Sequence, residues 1–189
     1  ALSPALATKA RILIKKNNTF QTSGLVSRTV YSVQAESGDI LGYLNAGILL
    51  NNSHSIVDEF RNFIYPNMAQ DSSENGTVTI FLHDLRVSTN VLSSNNGGRA
   101  LGTTVSNVVR DTVLVKGENF IDNAYVLDDW YISAYKPIYN YNGNIIGILY
   151  TGYGIWSFVE QYIIYLVEIV LGILLVLILS GVYVYKNTR

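Results

Sequence analysis

Near the end of this 189-residue chain lies a run of 17 residues without a charge, Ile169 to Tyr185, and it constrains the fold more than any other stretch. At about 1.5 Å of rise per residue, a helix over it is roughly 26 Å long. One more turn upstream lets it cover a hydrocarbon core about 30 Å thick. A helix from Tyr162 to Tyr185 is therefore expected to cross a lipid bilayer, with the preceding residues as a tethered domain. Lys186 and Arg189 follow the run, while Glu160 and Glu168 lie toward its other end. The positive-inside rule then places the C-terminus in the cytoplasm and residues 1–155 outside. Glu168 is either an interfacial carboxylate that reaches water or a polar contact between the helices of a homodimer.

The residues leading into the span read as a β-hairpin. Trp130 to Ile138 alternates and is rich in aromatic and β-branched residues, the composition of a strand. Asn142-Gly143 is a strong hairpin-turn signal. Ile145 to Tyr150 is an apolar run that suits a buried second strand. Only the step Gly152-Tyr153-Gly154 separates this hairpin from the long helix.

The net charge of −1 implies neither nucleic acid nor an anionic surface as a partner. With no cysteine, disulfides, thiolate metal sites and thiol catalysis are excluded together. Removing the span leaves roughly 155 residues, enough for one generous domain or two small ones. The start, Ala1-Leu2-Ser3-Pro4, has neither an initiator Met nor a signal peptide, so further residues are expected at both ends.

Ala5 to Lys15 reads as a short helix with Ser3 as N-cap, Pro4 at its first position, and Leu6, Ala10 and Leu13 on one face. Asn17 to Ser23 reads as a loop. Leu25 to Val33 and Ile40 to Leu50 read as paired strands around the turn Glu36 to Asp39. Ser53 or Ser55 can cap a helix through Tyr65, ended by Pro66. After a polar loop from Asn67 to Gly76, Thr77–Leu82 and Leu85–Val91 form a hairpin around His83-Asp84. Ser93 to Gly98 is a second loop. Thr104 or Ser106 can cap a helix from Asn107 to Lys116, with Gly117 at the C′ position. Phe120–Leu127 and Trp130–Tyr139 pair about a turn at Asp128-Asp129. The chain is α+β with a mostly antiparallel sheet.

Residues 27–48 resemble residues 132–153 at a constant offset (132 − 27 = 105). Gly38, Gly42 and Gly47 map onto Gly143, Gly147 and Gly152, Val33 onto Ile138, and Leu44 onto Leu149. The repeat implies two copies of one module. The expected division is a partial first module with a linker helix at 1–66, a complete module at 67–155, and a membrane helix with its juxtamembrane segment at 156–186.

No enzyme signature is present. His54 begins a helix and His83 sits in a tight turn, so both read as surface residues. Gly97-Gly98 precedes no Lys-Ser/Thr pair, so there is no phosphate loop. Asp128-Asp129 reads as turn chemistry. What remains is a binding constellation. Arg86 sits in a strand, with Thr89 just beyond, and Trp130, Tyr131, Ser133 and Tyr135 share another strand of the same sheet. A guanidinium presents a planar fork suited to a carboxylate. Hydroxyls and an indole could close a small polar pocket around it. The competing reading leaves Arg86 in solvent and the aromatics in the core.

Four stretches, Thr77–Val91, Arg99–Ser106, Ala124–Ile138 and Asn142–Gly152, together resemble prokaryotic Cache sensor domains, and the likeness spans about residues 25–155. The resemblance implies a PAS-like α+β fold of the kind found in extracytoplasmic receptors, among them sensor histidine kinases, chemoreceptors and cyclic-dinucleotide enzymes. It implies a small ligand on the sheet face, often a carboxylate or an amino acid. Amino-acid-binding members resemble Arg-x-Trp-Tyr at the strand that here reads Asp128-Asp129-Trp130-Tyr131. Asp128 in the arginine position speaks against an amino acid and leaves Arg86 as the carboxylate partner. The expectation is a non-catalytic sensor region of a prokaryotic signal-transduction receptor in the cell inner membrane, its domain periplasmic or extracellular. A small carboxylate, the bilayer and a second copy would be its partners, with no cofactor, metal or nucleic acid. The alternative is a membrane-anchored structural or assembly module whose pocket is filled by side chains.

Overall fold

A computed structural model describes residues 4–66, 76–93, 97–127 and 129–187. The loops expected at Asn67–Gly76 and Ser93–Gly98 fall partly outside the described residues, and Ser3, Asp128 and Arg189 fall wholly outside them. The chain divides into two compact units, Ala1–Tyr153 and Gly154–Arg189.

In the first unit, α1 (Pro4–Ala10) leads into β1 (Ile12–Ile14), which pairs antiparallel with β2 (Thr19–Gln21). The helix expected to reach Lys15 thus stops at Ala10, and the expected loop contains a strand. Ile12 and Ile14 are β-branched and stiff at χ1, which favours extended backbone. Ile12 is buried in the core, and the Lys15 N–H donates to the Gly102 carbonyl at 3.0 Å. The apolar stripe also fails, since Leu6 and Leu13 are exposed and only Ala10 is buried. The crossing needs Gly102, where a Cβ would fall on the carbonyl of Leu13.

β3 (Val26–Gln34) and β4 (Ile40–Leu49) form a separate two-stranded sheet. Along it Tyr31, Leu41, Tyr43, Leu44 and Ile48 are exposed. α2 (His54–Ile64) follows the N-cap Ser53, whose side chain makes no capping bond.

The main sheet has five strands. These are β5 (Thr77–Leu82), β6 (Leu85–Thr89), β7 (Phe120–Val126), β8 (Asp129–Tyr139) and β9 (Ile145–Gly154), in the order β6-β5-β9-β8-β7. β5 is buried at all six positions, because both faces of the sheet are covered. On one face Val78, Ile80, Leu82, Leu85 and Val87 pack with Val57 of α2 and with Ile12 and Leu25. On the other, Phe81, Tyr131, Tyr135, Ile148 and Tyr150 pack with Val109 and Val113. Those two valines come from α3 (Asn107–Arg110), capped as expected by Ser106, and from the π-helical turn Asp111–Val115 that continues it. Gly117 closes that helix at φ +73°, the left-handed C′ geometry glycine favours. At the β8–β9 turn, Asn140 Oδ1 accepts from the N–H groups of Asn142 and Asn144, and Gly143 takes φ +79°.

The second unit is α4 (Ile155–Asn187), 33 residues long. Its segment Tyr162–Asn187 is the one helix among the described residues that is long and apolar enough to cross a membrane.

Candidate ligand-binding site

Strict alternation along β6 would put Arg86 and Thr89 on opposite faces of the sheet. The register prevents this. Ile80 pairs with Ser88 but Phe81 pairs with Arg86, which leaves Val87 as an extra residue on β6. Such a bulge re-aims the side chains beyond it. Val87 stays with the α2 face, and Arg86 turns onto the face of Phe81, Thr79 and Thr89.

There Arg86 is 5% exposed, and its Nε and Nη1 find no hydrogen-bond partner among the described residues. Its Cζ lies 5.4 Å from the centre of the Phe81 ring. Burial pushes the guanidinium pKa down, and the neighbouring Tyr150, Tyr135 and Tyr131 push the other way. Burial raises the Tyr150 hydroxyl above its ordinary value and holds that of Tyr135 well above it, while the Arg86 charge draws both partly back. The two rings lie 4.7 Å apart. A buried guanidinium with two unpaired donors carries a desolvation penalty that an anion would relieve.

Beside Arg86 opens a cavity of about 420 Å³. α3 and the loop before it supply Thr103–Ser106, Val108 and Val109, and the outer strands supply Phe120, Asp122, Ala124 and Trp130.

The six residues expected at a site do not all reach the cavity. Arg86, Trp130 and Tyr135 line it. Trp130 is half-exposed and packs edge-on against Tyr125 at 5.6 Å. Tyr131 and Ser133 are buried on the Arg86 face as support, with Ser133 Oγ 3.4 Å from the Tyr131 carbonyl. Thr89 is not among the lining residues, and its Oγ1 lies 2.6 Å from that of Thr79 in a buried hydroxyl pair. The sequence reading missed Phe81, Phe120 and the α3 wall. Only the capped helix after Ser106 could have pointed to that wall.

A second network joins the cavity face to the end of β9. Thr77 Oγ1 lies 3.1 Å from both the Tyr150 hydroxyl and the Gly152 carbonyl. The Tyr65 hydroxyl donates to the same carbonyl at 3.3 Å. Gly152 is required by close approach, since a Cβ there would meet the Tyr150 hydroxyl. His54 is exposed at the start of α2, and His83 takes φ +53° in the β5–β6 turn. Among the described residues no cluster of His, Asp and Glu could hold a metal ion.

Comparison with solved structures finds similarity to the crystal structure of the E. coli DcuS sensor domain. The identity is 16% over 58% of this chain and 71% of that one, with a TM-score of 0.39. No curated protein sequence matches this chain significantly. The model of the single Cache domain 3 family matches residues 48–163, more than half of the chain. The match runs from the end of β4 through the whole five-stranded sheet and into α4. With its antiparallel sheet, its helices on both faces and the apolar helix that follows, this chain belongs to the single Cache domain 3 family of PAS-like extracytoplasmic sensor domains.

Proposed function

We propose that this sensor domain binds a small carboxylate through Arg86 and that occupancy is passed along β9 to α4, in a receptor that works as a homodimer in the cell inner membrane. One observation carries the reading: Arg86 is buried with Nε and Nη1 unpaired beside a cavity of about 420 Å³. A purely structural module would be expected to fill that space with side chains, and the open cavity favours a sensor. Trp130 and Tyr135 line the site, Tyr131 and Ser133 support the guanidinium face, and Thr89 holds β5 to β6. The signal route rests on chain continuity, because β9 carries Tyr150 and ends where α4 begins. A ligand that prefers one of two placements of that strand by a few kcal/mol would shift the population.

Thermal-shift screening of small organic acids against the wild type and Arg86→Ala tests the site. A charge-assisted contact to a buried group is worth on the order of 2–5 kcal/mol when one partner is truncated. An acid should therefore stabilise the wild type and lose its effect in the variant. Equal stabilisation of both proteins by the same acid would remove Arg86 from the site.

A further inference from the structure

We infer that the cavity takes a monocarboxylate with an apolar ring or branched-chain body, in preference to a dicarboxylate or an amino acid. The inference rests on the reading of Arg86 as the carboxylate partner and adds what the rest of the cavity selects.

Among the described lining residues Arg86 is the one cation and Asp122 the one carboxylate. Phe81, Val105, Val109, Phe120, Val126 and Trp130 supply an apolar lining. Two of the lining hydroxyls are already engaged locally. Thr103 Oγ1 donates to the Ala100 carbonyl at 3.1 Å, and Ser106 Oγ accepts from the Val109 N–H at 3.4 Å. A carboxylate on Arg86 satisfies the orphaned donors, and its substituent then meets a lining more apolar than polar, in which Thr104, Asn123, Tyr125 and Tyr135 supply the remaining polar groups. An apolar cavity of about 150 Å³ holds a benzene ring, so the volume here leaves room for a ring beyond the carboxylate.

A second carboxylate would find no second cation among the described lining residues. Removing an unpaired charge from water is costly. An α-ammonium group fares little better. Asp122 is exposed and its Oδ1 accepts from the Asn123 N–H at 2.7 Å. An ion pair at such an exposed position is screened and contributes little.

The test uses the full chain in lipid nanodiscs with Trp156→Phe, which leaves Trp130, a lining residue, as the sole tryptophan. Its fluorescence is titrated with 3-phenylpropanoate, phenylsuccinate, phenylalanine, acetate and 3-phenylpropan-1-ol. Phenylpropanoate is expected to bind tightest, by about tenfold or more over each of the others, a difference of about 1.4 kcal/mol. Arg86→Gln should abolish that preference over the alcohol. Ala124→Phe, which fills the cavity but spares Arg86, should weaken phenylpropanoate by about tenfold more than it weakens acetate. If phenylsuccinate, phenylalanine or acetate binds as tightly and still depends on Arg86, the apolar monoanion is wrong and the carboxylate reading survives. If the alcohol binds as well as the acid, or Arg86→Gln changes nothing, both readings fall. If none of the five binds, this inference is overturned, and the wider acid screen alone decides the carboxylate reading.

Discussion

Arg86 is the residue where stability and the proposed function pull apart. A buried guanidinium with unpaired donors destabilises the empty domain. Replacing a buried ion pair by apolar side chains of similar volume is often neutral or stabilising by roughly 1–4 kcal/mol, and a buried charge without an ion-pair partner has less attraction to lose. Arg86→Met should therefore raise the melting temperature of the ligand-free protein while abolishing stabilisation by acids, and differential scanning calorimetry reads both effects. The same surroundings set the pH dependence. Burial raises the Tyr135 and Tyr150 hydroxyls, so neither ionises below the ordinary tyrosine range. Burial lowers Arg86, but an arginine keeps its proton across the working range. Acid affinity should be flat from about pH 6 to 9 and fall below about pH 5 as the ligand's own carboxyl gains its proton. Isothermal titration at several pH values checks this, and a loss of affinity above pH 7 would show that another group titrates in the site. The sequence points to the candidate site through an arginine among strand hydroxyls and aromatics, and the structure buries that arginine beside a cavity. The site's membership is not legible there. Thr89 goes to a threonine pair, because a one-residue bulge in β6 that carries no mark in the sequence sets it opposite Thr79, and Tyr131 and Ser133 of β8 stand beside the cavity.

At the scale of elements, the hairpins, the Ser106-capped helix and the apolar span follow from periodicity and turn residues. The N-terminal segment does not. Its fate depends on a carbonyl 87 residues away (102 − 15 = 87), where Gly102 accepts the Lys15 N–H, and local propensity cannot register a partner so distant. β5 likewise carries threonine at two of its six positions yet is buried throughout, because burial on both faces is a property of the sheet. Pairing of β5 with β9 leaves little tolerance. At Gly147 an added Cβ would fall on the Phe81 carbonyl in the neighbouring strand. That atom is backbone and cannot swing away. Gly147→Ala should therefore destabilise by roughly 2 kcal/mol or more, measured by urea unfolding, whereas an unchanged midpoint would mean the strands separate at little cost.

For the whole molecule, the orientation proposed from Lys186 places the sheet outside the cell. A cysteine at Tyr141, 97% exposed on the β8–β9 turn, should react with an impermeant reagent on intact cells, and one at Asn187 should not. The reverse pattern would invert the topology. The repeat has a different consequence. β4 and β9 begin and end at the same 105-residue spacing (145 − 40 = 105; 154 − 49 = 105). The glycine that β9 needs against β5, Gly147, has its counterpart in Gly42 of β4, where an added Cβ meets open space. Among the described residues nothing requires Gly42, yet it leaves β4 able to lie against Phe81 without a clash. In chain order β4 is complete before β9, so it should compete for the partner edge of β5, and escape from that pairing should add a slow step to folding. Gly42→Val closes that pairing from the wrong side only. It should leave unfolding rates unchanged and remove the slow refolding phase in stopped-flow traces, and a trace identical to the wild type would show that the two hairpins never compete.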